Sequence, residues 1–289
     1  MPDQPRNTTL TALIKMIDDP DYLVFNVISD KLISIGRDAI QPLETALDNC
    51  FDEQIEEKIR AVLEKIYQAC LLTDFFDWLH TDSDDLLKGF ILVSRTEYRN
   101  LDEGIISVLI AQIKTDVWIE LHDELTALEN IKVINHILFN VYNFEGNKFD
   151  ITDPENSYIN TFLGTKKGSP LTLGMLYIII CRRLGLPVYG VDLPQHFILA
   201  YLSEPGMAEQ EKGDVLFYIN PFNNGAVFTR REIDQFISQM KIKPEESFYQ
   251  PCSNAEVIRR LINNLIFSYK NRRMHEKLSE LENLLNAFK

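Results

Sequence analysis

Residues 168–202 read GSPLTLGMLYIIICRRLGLPVYGVDLPQHFILAYL, and this stretch decides the fold. Between Leu171 and Ile180, apolar residues fall on every side of a helix, which is typical of a helix buried in a core. Gly185 and Pro187 end that helix, because glycine favours the closing turn and proline cannot continue a helix. The pattern therefore predicts a central buried helix.

Three strands are predicted after the central helix. The first two, Val188–Leu193 and His196–Leu202, are separated by only two residues. The third, Asp214–Ile219, follows a polar loop at 203–213 and should pair with the second strand as a hairpin. A buried helix packed on a small antiparallel sheet predicts an α+β fold.

The N-terminal part is predicted to be helical, with apolar residues recurring at helical spacing. Residues 18–47, DDPDYLVFNVISDKLISIGRDAIQPLETAL, resemble a HEAT repeat in their DDP turn, their helix and their G-x-x-A-I-x-P-L entry to the next helix. Such helix pairs stack on their neighbours to bury a shared face. A HEAT-like helical module is therefore expected at residues 1–85.

The rest of the chain is predicted to hold further helices around the core. The periodicity predicts a helix over 103–113 and another from about Trp118 through Phe139. Two S/T-x-x-E capping boxes, at 229–232 and 253–256, each indicate a helix start. We expect a core domain at 86–250 and a helical tail at 251–289.

Composition and charge argue against some classes of function. The formal net charge of -14 argues against a general nucleic-acid-binding protein. The four cysteines are widely spaced and form no C-x-x-C pair, which is typical of a reducing compartment. The N-terminus lacks a signal-peptide pattern, and the longest apolar run is too short to span a bilayer. The sequence predicts a cytoplasmic protein that binds neither nucleic acid nor membrane.

One set of residues resembles an active site. His196 begins the second predicted strand, and Asn220 directly follows the third. The start of the central helix, a histidine and an asparagine form the framework of a papain-type or transglutaminase-type site. The sequence contains no phosphate-binding loop, metal-ligand set or nucleotide fingerprint, so no cofactor is expected.

These motifs resemble a known family. The segments NFEGN, DPENSYINTFLGTKKGSPLTLGMLY, RRLGLPVYGVDLPQHFILAY and YINPFNNG are similar to the SirB-type branch of the transglutaminase-like superfamily. The resemblance covers about residues 90–289 and implies a transglutaminase/papain-like core at 86–250. It also implies that the tail at 251–289 is tetratricopeptide-like.

The sequence differs from active members of the superfamily at the position of the nucleophile. In active members of the superfamily a cysteine opens the central helix, where the positive helix end and a histidine activate its thiolate. The matching position here is near Pro170, and the nearest hydroxyls belong to Ser169 and Thr172. Cys181 lies about 16 Å further along the helix at 1.5 Å per residue, too far to replace the missing cysteine. Cys252 is not constrained by this argument.

Two functions follow as expectations. The first is a non-catalytic regulatory or protein-interaction protein on a degenerate transglutaminase-like fold, with its helical modules facing protein partners. The second is a hydrolase or acyl-transferase that uses Ser169 or Thr172 as nucleophile with His196 and Asn220. A residual cleft at His196 and Asn220 could also hold a small ligand or a peptide. A hydroxyl within about 3 Å of a His196 ring nitrogen would favour the enzyme.

Overall fold

The structure is a computed structural model that describes residues 4–150, 152–203 and 214–289. Most of the predicted polar loop, residues 204–213, lies outside the described residues. The chain divides into two compact units, 1–77 and 78–289. None of the helices in the described ranges combines the length and apolarity that a bilayer crossing requires.

The described residues form the following regular elements. The helices are α1 Gln4–Lys15, α2 Tyr22–Ile35, α3 Ile40–Asp48, α4 Glu53–Thr81, α5 Leu86–Ser94, α6 Glu103–Glu120, α7 Ala127–Asn135, α8 Ile159–Thr165, α9 Pro170–Arg183, α10 Arg230–Gln239, α11 Asn254–Arg272 and α12 Leu278–Asn286. The strands are β1 Glu145–Gly146, β2 Lys167–Gly168, β3 Val188–Leu193, β4 His196–Leu202, β5 Val215–Asn220 and β6 Ala226–Phe228.

The first unit is helical and has its own apolar core. Helix α2 begins at the N-cap Asp21, whose carboxylate accepts a hydrogen bond from the Leu23 backbone, and it ends at Gly36 with a φ of 70°. A positive φ of this size suits glycine, which lacks a Cβ. Ile17, Leu32 and other buried side chains form the core cluster of this unit. The helical character predicted for this region is confirmed, and the HEAT-like relationship stays a prediction.

The second unit contains the sheet. Within the described residues, β3, β4, β5 and β6 form an antiparallel sheet in that order, and β1 and β2 form a short parallel pair. Leu193 pairs with His196 at the end of the β3–β4 hairpin, and Leu199 pairs with Ile219 between β4 and β5. The predicted α+β class is confirmed.

The central helix α9 packs on one face of this sheet. All residues from Leu171 to Cys181 are buried, as the sequence predicts. Gly174 allows the close approach, because a Cβ there would lie 2.7 Å from the ring of Phe197 and 3.4 Å from Leu199. Phe197 and Leu199 therefore point toward α9.

The C-terminal helices are fixed to the segment that follows α5. The Tyr158 and Tyr269 hydroxyls lie 2.6 Å apart in the interior, and Tyr269 also donates to Glu97. Arg99 makes two hydrogen bonds of 2.6 Å with the carboxylate of Glu280 on α12. Burial and the neighbouring carboxylates raise the pKa of Tyr269 and favour its neutral form. The tail is therefore an integral part of the second unit.

The prediction of one continuous helix from Trp118 through Phe139 is wrong. Helix α6 ends at Glu120, where Leu121 turns to an extended ψ of 140°. A new helix, α7, then starts at the N-cap Thr126, whose hydroxyl and backbone form a capping box with Glu129. A π-helical segment, His136–Val141, follows it directly. The T-x-x-E pattern at 126–129 marks this second start in the sequence.

Candidate functional site

The start of α9 is closed by a hydrogen-bonded cap. Ser169 is the N-cap residue and Pro170 occupies the first helical position, where its missing N–H costs nothing. The Ser169 hydroxyl accepts from the Thr172 backbone at 3.2 Å, and the Thr172 hydroxyl accepts from the Ser169 backbone at 2.9 Å. The two hydroxyl oxygens lie 3.2 Å apart. Both predicted nucleophiles are therefore engaged with each other and with the helix start.

These hydroxyls are also shielded from water. Thr172 has no exposed surface, and Ser169 is 8% exposed. The neighbouring strand pair contributes to this enclosure, because a Cβ on Gly168 would lie 2.6 Å from the Thr172 hydroxyl. The ring of Phe222, in the turn after β5, packs directly on Gly146 of β1. Ser169 and Thr172 are thus enclosed, whereas Pro170, at the position where the superfamily places its nucleophile, is partly exposed.

His196 lies on the opposite face of the sheet from α9. Side chains alternate along a strand, so His196 shares its face with Ile198 and Ala200, while Phe197 shares the other with Leu199. Ile198 and Ala200 belong to the cluster formed with α10, which confirms the assignment of faces. His196 therefore points away from Ser169 and Thr172.

The imidazole of His196 packs against α10. Its ring meets that of Phe236 edge to face, with centroids 4.6 Å apart and an interplanar angle of 78°. The residue as a whole is exposed, but this contact partly buries the ring and lowers the pKa of His196. Among the described residues no hydrogen bond joins His196 to Ser169, Thr172 or Asn220. The edge-to-face contact with Phe236 therefore helps to fix the orientation of the imidazole.

Asn220 is used to cap the turn that follows β5. Its side-chain oxygen accepts from the backbone N–H groups of Phe222 at 3.1 Å and Asn223 at 3.2 Å. Strand alternation puts Asn220 on the face of Tyr218, which belongs to the α10 cluster. His196 and Asn220 thus share a face, but it is the face remote from α9.

The structure therefore does not bring the four predicted site residues together. Ser169 and Thr172 stay at the start of α9, whereas His196 and Asn220 lie across the sheet. The cause is the two-residue turn at Pro194 and Gln195, where Gln195 adopts a φ of 60°. This turn sets the register of β4 and thereby decides which of its side chains face the helix.

Neither Cys181 nor Cys252 supplies a thiolate. Cys181 is fully buried in α9, and burial raises its pKa well above the usual range. Burial, followed by the nearby carboxylate of Glu256, raises the pKa of Cys252 to about 12. Both thiols are therefore neutral near pH 7, whereas a nucleophilic cysteine requires a lowered pKa.

One polar bridge near α9 could not be read from the sequence. Asn135, the last residue of α7, accepts a hydrogen bond of 2.9 Å from the hydroxyl of Tyr177 on α9. Its amide nitrogen donates to the carbonyl of Gly225, also at 2.9 Å. Tyr177 and Gly225 lie 42 and 90 positions from Asn135 in the sequence, so no local pattern predicts these contacts. Asn135 ties the central helix to the turn between β5 and β6.

The fold indicates the class of the protein. A buried helix packs on an antiparallel sheet, and the start of that helix is the position that corresponds to a nucleophile. A comparison with protein families matches residues 106–263 to the family described as the transglutaminase-like superfamily. The match covers more than half of the chain. The chain therefore belongs to the transglutaminase-like superfamily, and this confirms the resemblance seen in its motifs.

Several proteins are similar to this chain. A UPF0162 protein of Xylella fastidiosa strain 9a5c is 25% identical over 210 residues, which are 70% of this chain and 72% of that protein. A UPF0162 protein of Xylella fastidiosa strain Temecula1 is 27% identical over 166 residues, 56% of each chain. F-box only protein 21 of Homo sapiens is 26% identical over 158 residues, 55% of this chain and 24% of that protein. No solved structure matches the chain.

Proposed function

We propose that the chain is a non-catalytic regulatory or protein-interaction protein built on a transglutaminase-like fold. The start of α9 carries this proposal. Proline stands at the first helical position, and the hydroxyls of Ser169 and Thr172 are engaged in the helix cap. His196 lies on the far face of the sheet, against Phe236. A helix start arranged in this way stabilises the fold and leaves no activated nucleophile.

The rival function, a hydrolase or acyl-transferase, needs a different arrangement. Its nucleophilic hydroxyl must lie within about 3 Å of a histidine nitrogen that removes its proton. Ser169 and Thr172 could meet His196 only if the cap opened and β4 changed register. Opening the cap would break its two backbone-to-hydroxyl hydrogen bonds, and a change of register would break the ladders of β4 with β3 and β5, which opposes this alternative.

Protein partners fit the remaining features better than small substrates do. The chain carries a net charge of -14, so its surface favours partners with basic segments. In human F-box only protein 21 the similar segment makes up only 24% of the chain, so in that protein it is a small part of a longer chain. The proposed partner surfaces are the helical modules of this chain.

The first test of this proposal uses a fluorophosphonate probe on the full chain; an activated serine oxygen attacks its phosphorus, displaces fluoride and becomes phosphonylated. We expect no labelling that depends on His196. The variant His196→Ala is compared with His275→Ala, because His275 is exposed and lies in the tail. Labelling that disappears in His196→Ala and persists in His275→Ala would overturn the proposal.

A second test restores the missing thiol. In Pro170→Cys, the new thiol lies at the first position of α9, across the sheet from His196. We expect its alkylation by iodoacetamide, followed by site-resolved mass spectrometry, to show the same pH profile with and without His196→Ala. A profile that shifts toward higher pH by a full unit on removal of His196 would show a functioning dyad and contradict the proposal.

A further inference from the structure

Helix α6 turns an uncharged face to water. Its opposite face is buried and consists of Ile106, Ile110, Ile113 and Val117. A helix with one buried face usually exposes charged and polar side chains on the other. In α6, every exposed residue from 104 to 119 is uncharged, and the only base of the helix, Lys114, is half-buried. The outward side chains that form this surface, the α6 outer face, are Ile105, Val108, Gln112, Thr115, Trp118 and Ile119.

The α6 outer face is also apolar. Ile105, Val108, Trp118 and Ile119 each have between 62% and 70% of their surface exposed. Single exposed apolar residues are common on soluble proteins, whereas several on one face of one helix mark an interaction surface. Tryptophan is among the residues that contribute most to binding energy in protein interfaces. The face therefore has the character of a protein contact surface.

The spacing of the face indicates a helical partner. Along the chain, three or four residues in turn separate Ile105, Val108, Gln112, Thr115 and Ile119. This pattern has the 3.5-residue period of helices that pack side by side over several turns. At 1.5 Å per residue, the stripe is about 21 Å long. An amphipathic helix of about four turns, with apolar residues at the same spacing, fits this length.

Carboxylates at the C-terminal end of the α6 outer face select the charge of that partner. Glu120, Asp123 and Glu124 follow the stripe, and all three are exposed. Within the described ranges none of the three forms an ion pair. The last carbonyl groups of α6 add partial negative charge at the same end. A partner helix with basic residues beside this end is therefore favoured, because opposite charges then face each other.

The same charges oppose a second copy of this chain as the occupant. The N-terminal end of the face is also acidic, with exposed Asp102 and with Glu103, which is paired with Arg95 at 2.7 Å. Two antiparallel copies of α6 would bring Asp102 toward the C-terminal carboxylates, and two parallel copies would bring the C-terminal carboxylates together. Each copy also carries a net charge of -14. Like charges side by side disfavour an interface, so a basic partner is preferred.

We propose that the α6 outer face binds an amphipathic helix of a partner protein, with an apolar stripe along α6 and basic residues at its ends. The aliphatic side chains of the face contact this stripe, Trp118 flanks it, and the carboxylates at 120–124 attract a basic end. This inference rests on the proposed protein-interaction function, since it names the chemistry of the partner at one surface.

Designed peptides test the proposal on the full chain. The first has about 18 residues, with leucines at the spacing of the α6 stripe, alanine and glutamine between them, and two lysines at each end. We expect a Kd of about 10–100 μM, because a short peptide loses conformational freedom on binding. The same peptide with glutamates in place of the lysines should bind at least tenfold more weakly at low salt, and about 0.5 M salt should reduce this difference. Binding should shift the fluorescence of exposed Trp118 to shorter wavelength, whereas Trp78 is already buried.

Matched variants locate the binding. Val108→Gln and Val27→Gln make the same change on exposed helical surfaces, because the two valines are 67% and 68% exposed, but only Val108 lies on the α6 outer face. We expect the affinity for the lysine-ended peptide to fall at least fivefold in Val108→Gln and to be unchanged in Val27→Gln. Ile119→Gln, at the other end of the stripe, should give a loss similar to that of Val108→Gln. Circular dichroism checks that all three variants keep their helix content.

Three peptide results would overturn the inference: no saturable binding of the lysine-ended peptide up to about 1 mM, equal binding of the lysine-ended and glutamate-ended peptides, or equal effects of the two valine variants. Dimers of the free chain that dissociate in Val108→Gln, measured by analytical ultracentrifugation, would assign the face to a second copy and overturn it as well. The proposed function is tested separately, since peptide binding does not depend on labelling by the fluorophosphonate probe. Labelling that requires His196 would overturn the proposed function alone, and absent peptide binding would overturn this inference alone.

Discussion

Arg99 and Glu280 form a two-pronged ion pair that joins residues 181 positions apart in the sequence. Their side chains are only 17% and 12% exposed, so the pair is largely withdrawn from water. The planar guanidinium matches the carboxylate geometry with two parallel hydrogen bonds. This contact and the Tyr158–Tyr269 pair explain how the C-terminal helices are held on the second unit.

Removal of one partner of this pair should destabilise the fold. Arg99→Ala removes two charge-assisted hydrogen bonds from the largely buried Glu280 carboxylate, and we expect a loss of about 3 kcal/mol in the free energy of unfolding. Lys270→Ala is the matched control, because Lys270 on α11 forms an exposed pair with Glu282, which lies on α12 as Glu280 does. That change should cost less than about 1 kcal/mol. Urea unfolding followed by circular dichroism measures both, and equal losses would contradict the prediction.

The cap at the start of α9 should contribute to stability. Thr172→Val keeps the shape of the side chain but leaves the Ser169 backbone N–H without its buried acceptor, so we expect a loss of about 2 kcal/mol. Ser253 caps α11 through a similar box with Glu256 on an exposed surface. Ser253→Ala should cost about 1 kcal/mol. The melting temperatures of the two variants check the order, and a smaller effect for Thr172→Val would refute it.

An added methyl group should change the free energy of unfolding in opposite directions at two glycines. In Gly174→Ala the new Cβ would collide with Phe197 at 2.7 Å, and overpacking of this kind typically costs about 1–3 kcal/mol. In Gly164→Ala, on helix α8, nothing lies within 4 Å of the new Cβ. That variant should gain about 0.5–1 kcal/mol, because alanine is the better helix former. Chemical denaturation of both variants decides, and a stabilising Gly174→Ala would contradict the packing of α9 on β4.

Burial of the Cys252 thiol predicts that the free energy of unfolding falls at alkaline pH. The pKa of Cys252 is raised to about 12 in the fold, so the folded state favours the neutral thiol. Its contribution is complete below the pKa of an unfolded cysteine, about 8.5, and is lost as the pH rises toward the folded value. We expect the free energy of unfolding to fall between about pH 8.5 and 12, and less steeply in Cys252→Ala. An identical slope in the two proteins would argue against burial of this thiol.

The central helix and the strands could be predicted because their signals are local. The all-round apolar run predicted the buried helix α9, and the apolar segments at 188–193, 196–202 and 214–219 predicted β3, β4 and β5 with boundaries within one residue. The capping boxes at 229–232 and 253–256 predicted the starts of α10 and α11. Such signals come from residues that are close in the sequence, so they can be read without knowledge of the tertiary contacts.

The candidate site could not be predicted in the same way, because its geometry depends on register. Histidine at the start of a strand and asparagine at the end of the next give no information about which face each side chain takes. That choice follows from the turn at 194–195 and from the packing of Phe197 against α9. The S-x-x-T cap was also missed, since threonine lacks the carboxylate by which capping boxes are recognised.

The packing of Phe197 also limits how such a protein could gain or regain chemistry in evolution. Phe197 fits between Gly174 on α9 and Gly190 on β3, where a Cβ would lie 2.7 Å and 2.6 Å from its ring. A shift of β4 by one residue would carry every side chain to the other face, so that a histidine could face α9. Point substitutions do not produce such a shift, but an insertion or deletion in the 194–195 turn does. The length of this turn is therefore the feature to compare between members that react and members that do not.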